Sequence, residues 1–329
     1  MEEKKISVIS IIYQVEPYLP ECLDSLAAQT YRNLEFLLVV GLKDGANDAC
    51  LEICERYAKK DERFRVIPCP AKGIADARNV GLSHVSGDLI AFVDGDDYVD
   101  ADFSSSLICQ MEEGKSAIAV CGRYYEFRNK SEKDPAGECV ILTDEDAMRM
   151  ILTGTGFFLH LWDKLFVRAL FDGVTFPTDH VVEDRIMVNR LLAKAGRISY
   201  DSTPKYHFRE RSGSNSKRAG MAMHNAQANR ALCDFIRENY PSLTPEADRF
   251  YLQESITSLQ NLLAAEGGGK EDVDRMVCEI RAAADALKGI PCSGTLKVKT
   301  FLALHARFLL SLITKRHQKR DGEEKIRYE

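Results

Sequence analysis

The sequence predicts an α/β protein: a mostly parallel sheet flanked by helices over residues 1–217, then a helical region over 218–329. Three observations carry this. Apolar, β-branched runs of strand length recur at 6–12 (ISVISII), 34–40 (LEFLLVV), 64–67 (FRVI) and 88–93 (DLIAFV). Stretches of helical length lie between them, the alternation that builds βαβ units. Beyond about residue 220 the strand signals stop.

Each element has its own local signal. Residues 17–28 read as a helix, because Pro17 and Pro20 fall near its first turn, where a missing N–H is harmless. The helix over 47–60 has Asn47 as its expected N-cap. Residues 73–85 are helical and stop before Gly87; a further helix covers 100–113, and AIAVC at 117–121 is another strand. RYYEF and GECVILT are short strands around a polar loop. Thr143 caps a helix over 144–152, with Asp146 at the capping-box position. EDRIMVNRLLAKA, 183–195, is a helix that ends at Gly196. RISY and PKYHFRE are two strands, and helices follow at about 221–239, 246–265, 271–288 and 295–317, with the GGG of 267–269 as a break.

Composition narrows the class. The chain has 329 residues, 45% hydrophobic and 29% charged, which suits a globular core without staples. A net charge of −6 argues against a nucleic-acid partner gripped through its phosphates. The ten cysteines form no CxxC pair and no zinc spacing, as expected of reduced core thiols in a cytoplasmic protein. The charged, then briefly apolar start MEEKKISVISII is too short for a signal peptide, and no apolar run reaches the ~18 residues of a membrane span. The expected location is cytoplasmic, with the inner face of the membrane as the place of any contact.

Three clusters could carry chemistry. Asp94-Gly95-Asp96-Asp97 directly follows the buried run LIAFV. Ligands of parallel sheets bind at the carboxyl ends of strands, and crowded carboxylates favour a hard divalent cation such as Mg²⁺ or Mn²⁺; the same acids could simply cap the helix at 100–113. Glu183-Asp184 opens a predicted helix, where acids suit the dipole, and one of them could equally act as a general base. The stretch Tyr206-His207-Phe208-Arg209-Glu210-Arg211 offers cations for a diphosphate leaving group, or a solvated charged loop.

Taken together, the pieces resemble the large family 2 of inverting glycosyltransferases, which has a GT-A (Rossmann-like) fold. The matching segments span about residues 5–217: ISVISIIYQVEPYLPECLDSLAAQTYRNLEFLLV, KGIADARNVGLSHVSGDLIAFVDGDDYVD, LWDKLF, FPTDHVVEDRIMVNRLL and YHFRERSGSNS. The resemblance implies a nucleotide-sugar donor, usually on UDP, bound Mn²⁺ or Mg²⁺, and transfer to an acceptor hydroxyl with inversion. It implies that Asp94 and Asp96 form the DxD motif, with Asp96 on the metal and Asp94 near ribose or metal. Asp184 matches the base, and Glu183 beside it positions the acceptor. Arg78 matches an arginine near the nucleotide, and His207 lies where some relatives offer a further metal ligand or phosphate contact. Tyr13, Asp44, Lys164, Arg209 and Arg211 complete the donor-binding candidates.

Two loops depart from the family pattern. Its first loop usually has a proline two positions before the Tyr or Phe, followed by Asn; this chain has Ile11, Tyr13 and Gln14. Its second strand usually ends Asp-Asp-Gly-Ser; here VVGLKDGAND keeps only Asp44 and Gly45, with Lys43 at the first Asp.

From Lys288 to Arg320 there are eight Lys or Arg and no acid, with Val298, Phe301, Leu302, Phe308, Leu309, Leu312 and Ile313 at helical spacing. Such a helix over 295–320 either lies on an anionic membrane or packs on the protein with its basic face in water. The first option suits a lipid-linked acceptor in surface polysaccharide or glycolipid synthesis, and a saccharide acceptor fits either. A non-catalytic, nucleotide-sugar-binding partner subunit is the competing function, motivated by the altered 40–45 loop. A nucleotidyltransferase would need a Gly-rich basic first loop, and ISVISIIYQVEPYL contains no glycine.

Overall fold

A computed structural model describes residues 3–43, 48–178, 182–212, 221–265 and 269–329. Strand β1 (Ile6–Ile12) runs parallel to both β2 (Leu34–Leu42) and β4 (Leu89–Phe92), and β2 is parallel to β3 (Phe64–Pro70). β1 is buried along nearly its whole length, Ser7 and Ser10 included, as expected of a strand covered on both faces. Helices α1 (Leu19–Ala27), α2 (Ala49–Ala58) and α3 (Ile74–Ser83) supply the crossovers. The N-cap of α2 is Asp48, whose Oδ1 accepts from the N–H groups of Cys50 and Leu51 at 2.9 and 3.2 Å. Asn47, the expected cap, lies outside the described residues.

The other half of the sheet is mixed, where the sequence suggested mostly parallel pairing. The sheet order is β3-β2-β1-β4-β9-β6-β10-β5. β9 (Lys164–Val167) is antiparallel to both β4 and β6 (Ile118–Phe127), while β6 runs parallel to β10 (Ile198–Arg209). β5 (Tyr98–Val99) is antiparallel to β10. RISY and PKYHFRE form one strand, not two. β10 passes Pro204 with register shifts between Tyr200 and Tyr206. Gly122 on β6 accommodates that irregularity: a Cβ there would meet the Ser202 carbonyl oxygen at 1.9 Å. β7 (Lys130–Lys133) pairs with β6 and β8 (Val140–Leu142) with β10.

Helix α4 (Phe103–Gly114) follows β5, and α5 (Asp144–Thr153) opens on the expected capping box. Asp146 N–H donates to Thr143 Oγ1 at 3.1 Å, and Thr143 Oγ1 donates back to Asp146 Oδ2 at 2.7 Å. α6 (Glu183–Ala195) ends at Gly196 in the left-handed region, φ 66°.

The chain divides into two compact units. The first comprises residues 1–126, 131–147 and 156–209; the second comprises 127–130, 148–155 and 210–329. In the second, α8 (Thr244–Ala264) packs against α7 (Met221–Asn239), α9 (Lys270–Ala286) and α11 (Arg307–Glu324). Its core includes Leu232, Ile236, Leu259, Met276 and Ile280. The single helix expected over 295–317 is two: α10 (Gly294–His305) and α11 part at Ala306, φ −141° and ψ 48°. No glycine or proline marks that break. Among the described residues no helix is long and apolar enough to cross a membrane. All ten cysteines are free.

Candidate active site

The parallel strands β1, β2, β3 and β4 all end on one edge of the first unit, and the Asp94–Asp97 turn stands there. After β4, Asp94–Asp97 form a tight turn, with Asp97 N–H donating to the Asp94 carbonyl at 3.0 Å. Gly95 lets β1 pack closely: a Cβ would lie 3.1 Å from both the Ile11 carbonyl oxygen and Ile12 Cγ1. Asp94 and Asp96 stay partly exposed, whereas Asp97 is buried. Asp97 Oδ2 accepts from the Tyr206 hydroxyl and Oδ1 from the Arg209 N–H, both at 2.8 Å. Burial pushes the Asp97 carboxyl well above its usual range, and the neighbouring charges of Asp96 and Asp94 push it further. The turn therefore has two outward carboxylates on an inward third that ties it to β10.

The second acidic station stands at the start of α6. Glu183 is buried and ion-paired with Arg78 of α3, itself buried. Arg78 also lies 4.0 Å from Asp94. One guanidinium thus bridges the two acidic stations. Burial raises the Glu183 carboxyl to about 7 even though Arg78 opposes the rise. Asp184 differs. Its side chain is 21% exposed, and His160 Nδ1 lies 3.6 Å from its Oδ2. Burial acts to raise this carboxyl as well, but His160 and Arg78 outweigh it and hold it at about 2. Adjacent carboxylates are therefore driven in opposite directions, and Asp184 is the more exposed of the two.

Other candidates fall differently. Tyr13 stands where β1 ends, beside Gly41, whose added Cβ would touch the Tyr13 ring at 3.4 Å, and beneath the Lys43 ammonium, 5.8 Å from the ring centroid. Gln14 follows at φ 53°, so the chain turns sharply here without glycine. Asp44 lies outside the described residues. Arg209 does not stand open to a donor. Its guanidinium donates to the Asp96 carbonyl at 2.8 Å, pairs with Glu21, and faces the rings of Tyr18 and Tyr98. It braces the acidic turn from behind. Arg211 belongs to the second unit, where its backbone pairs with Tyr328.

Two further candidates have partners of their own. Lys164 is fully buried. Its ammonium donates to the carbonyls of Phe158 and His160 at 2.8 and 2.7 Å and to Asp163 at 2.5 Å, so it fastens the loop before β9 and has no hydrogen left for a phosphate. His207 is likewise engaged within the protein. Its ring is sandwiched between Tyr98 and Tyr124, each at 4.2 Å, and its nitrogens face Glu126 at 2.8 Å and Asp100 at 3.1 Å. Among the described residues the cluster of three convergent metal-ligand types is Glu16, Asp48 and Cys50. There Asp48 is engaged as the α2 cap, and burial pushes the Cys50 thiol up to about 12.

His160 lies outside the three clusters that the sequence singles out, while Tyr206 stands in the basic and aromatic stretch and Trp162 in LWDKLF. The one available signal was that Trp162 is the only tryptophan in the chain.

A sheet with an acidic turn after its central strand and a second acid pair beside it defines a GT-A glycosyltransferase. The chain belongs to the family described as Glycosyl transferase family 2, whose sequence profile matches residues 7–180. Glycosyltransferase GlyA of Streptococcus pneumoniae serotype 4 is 33% identical over 226 residues, 65% of this chain and 32% of GlyA. The chain thus spans about a third of the length of that relative. The fold resembles S. aureus TarS 1–349 in complex with UDP-GlcNAc, with a TM-score of 0.65 at 20% identity, covering 99% of this chain and 93% of that one. It also resembles mannosyltransferase PcManGT from Pyrobaculum calidifontis in complex with GDP-Man and Mn²⁺, with a TM-score of 0.52 at 15% identity, covering 96% and 88%.

Proposed function

We propose that the chain transfers a sugar from a UDP-sugar to an acceptor hydroxyl with inversion at the anomeric carbon, and that residues 1–217 are its catalytic domain. The carrying observation is the pair of acidic stations joined by Arg78, with Asp184 ionised and partly exposed on one side and the Asp94–Asp96 turn on the other. Asp184 acts as general base on the acceptor hydroxyl, because a base must be reachable as well as ionised. Glu183, locked on Arg78, is the positioning partner. Tyr13, in the gap beside Gly41 and Lys43, receives the base of the nucleotide. The complex of TarS with UDP-GlcNAc supports UDP as the carrier.

The acidic turn fits a divalent metal. Asp94 and Asp96 are hard oxygen donors, partly exposed and at a strand end, which suits Mn²⁺ or Mg²⁺. When bound there, the ion supplies charge neutralisation for the diphosphate leaving group. The Mn²⁺ complex of PcManGT supports this choice.

The acceptor is a saccharide or a lipid-linked saccharide of cell-surface polymer or glycolipid synthesis, met at the inner face of the membrane. The second unit supports the membrane part. α10 and α11 expose Val298, Phe301, Phe308, Leu309, Leu312 and Ile313 within the acid-free stretch 288–320. Apolar side chains beside Lys and Arg suit an anionic lipid surface.

The deciding experiment is a thermal-shift panel of nucleotide sugars with and without Mn²⁺. A UDP-sugar should raise Tm only with metal, by the equivalent of roughly 3 kcal/mol at a hundred times its Kd. Asp96→Ala should abolish the shift while leaving the unliganded Tm near that of the wild type. A shift that survives chelator, or no shift with any donor, defeats the reading.

A further inference from the structure

Asp184 sits on α6, but the group that faces its outer oxygen comes from elsewhere. His160, in the loop before β9, approaches it to 3.6 Å. That loop has no regular hydrogen-bonding pattern of its own, and two contacts fix His160 in it. Its carbonyl is held by the buried Lys164 ammonium at 2.7 Å. Its ring lies flat on Trp162, with centroids 4.9 Å apart and planes at 11°. Trp162 in turn stacks on Tyr206 at 4.4 Å and on Phe208 at 5.4 Å. The Tyr206 hydroxyl donates to Asp97 and accepts the Asp94 N–H at 3.1 Å. A run of three stacked rings therefore connects the Asp184 carboxylate to the backbone of the acidic turn, on a route separate from the Arg78 bridge.

We propose that His160 is a positioning residue: seated on the Trp162–Tyr206 stack, it steadies Oδ2 of Asp184, whose Oδ1 accepts the Arg185 N–H at 2.8 Å, so that the carboxylate keeps a fixed orientation and distance relative to the donor turn. A base misplaced by about 1 Å loses on the order of a hundredfold in rate, so a rigid aromatic strut between the two stations has a direct catalytic value. Among the described residues, Arg78 from α3 and Glu183 and Arg185 on α6 itself also act on Asp184. None of these belongs to the stack. This inference rests on Asp184 as the base.

The test uses two variants of the full chain. His160→Phe keeps a flat ring on Trp162 and removes both nitrogens; His160→Gln keeps a neutral donor. The Asp184 carboxyl is titrated by carbon-13 NMR in aspartate-labelled protein, with Asp184→Asn assigning the signal. His160→Phe should raise the titration midpoint of Asp184 and slow single-turnover transfer by about ten- to a hundredfold. Calorimetric affinity for UDP with Mn²⁺ should be unchanged, and His160→Gln should recover part of the rate. An unmoved midpoint, a wild-type rate in His160→Phe, or a loss of UDP affinity would each overturn the proposal. If the wild type transfers no sugar at all, the function proposed above fails, and the NMR midpoint alone then decides whether His160 holds Asp184.

Discussion

Glu183→Gln should flatten the dependence of stability on pH, by an amount the structure fixes. The Glu183 side chain is 2% exposed, and its carboxyl is raised from an ordinary 4.5 to about 7. Burial causes the rise; the Arg78 charge opposes it, and Asp184 and Asp94 add to it. At ~1.36 kcal/mol per pH unit, the gap amounts to roughly 3 kcal/mol. The sign follows from proton counts. Below pH 4.5 the carboxyl is protonated in both folded and unfolded chains and there is no penalty. Between 4.5 and 7 the unfolded chain releases a proton that the folded one keeps, so stability falls as pH rises; above 7 the full penalty applies. Asp184, held at about 2, stays ionised across this window and drops out of the comparison. Glutamine retains a carbonyl oxygen for Arg78 and has no charge to desolvate. Denaturant unfolding of both proteins from pH 4.5 to 8 should show the wild type losing about 3 kcal/mol relative to the variant, most of it below pH 7. Parallel stability curves would refute the argument, because they would mean that Glu183 ionises as easily in the folded protein as in the unfolded chain.

Three further outcomes are expected. Asp184→Asn should slow single-turnover transfer by roughly 10²–10⁴-fold while calorimetric UDP affinity with Mn²⁺ stays near wild type; a normal rate would move the base role to Glu183. Gly95→Ala should lower the unfolding free energy by about 1–3 kcal/mol and weaken metal-dependent nucleotide binding, because its Cβ meets β1 backbone at 3.1 Å; calorimetry and denaturant midpoints read both. Combining Phe308→Ser with Lys315→Glu and Arg316→Glu should weaken sedimentation with anionic vesicles at least about tenfold at low salt, since each basic residue near the surface contributes about 1 kcal/mol; unchanged binding would make α10 and α11 packing elements only.

In the parallel half of the sheet β1, β2 and β4 were legible because they are buried almost throughout and read as largely apolar runs, while the edge strand β3 alternates buried and exposed residues. The capping box of α5 was legible for a similar reason: Thr143 and Asp146 interact over three residues, within reach of a sequence window. What escaped depends on long-range partners. β5 and β9 have two and four residues, and only pairing with β10, β4 and β6 makes them strands. Pro204 signalled a break, but Gly122 opposite lets β10 bulge and continue. The parting of α10 from α11 at Ala306 carries no breaker residue, and nothing in the structure explains why the chain leaves the helix there.

The candidate site shows the same division, in charge instead of hydrogen bonding. The acids were legible because a carboxylate after a buried strand or at a helix start has a local meaning. The cations were not, because the role of a cation depends on what surrounds it. Lys164 and Arg209 sit in the motifs that suggested donor contacts, yet one is enclosed by carbonyls and the other braces the turn from behind. Arg78, in contrast, is placed between Glu183 and Asp94, more than a hundred and about sixteen residues away respectively. A buried cation between two acidic stations fixes their separation and couples their charges. Ionisation at one station is thereby felt at the other, since Arg78 lowers both the Glu183 and the Asp184 carboxyls while Asp94 raises that of Glu183.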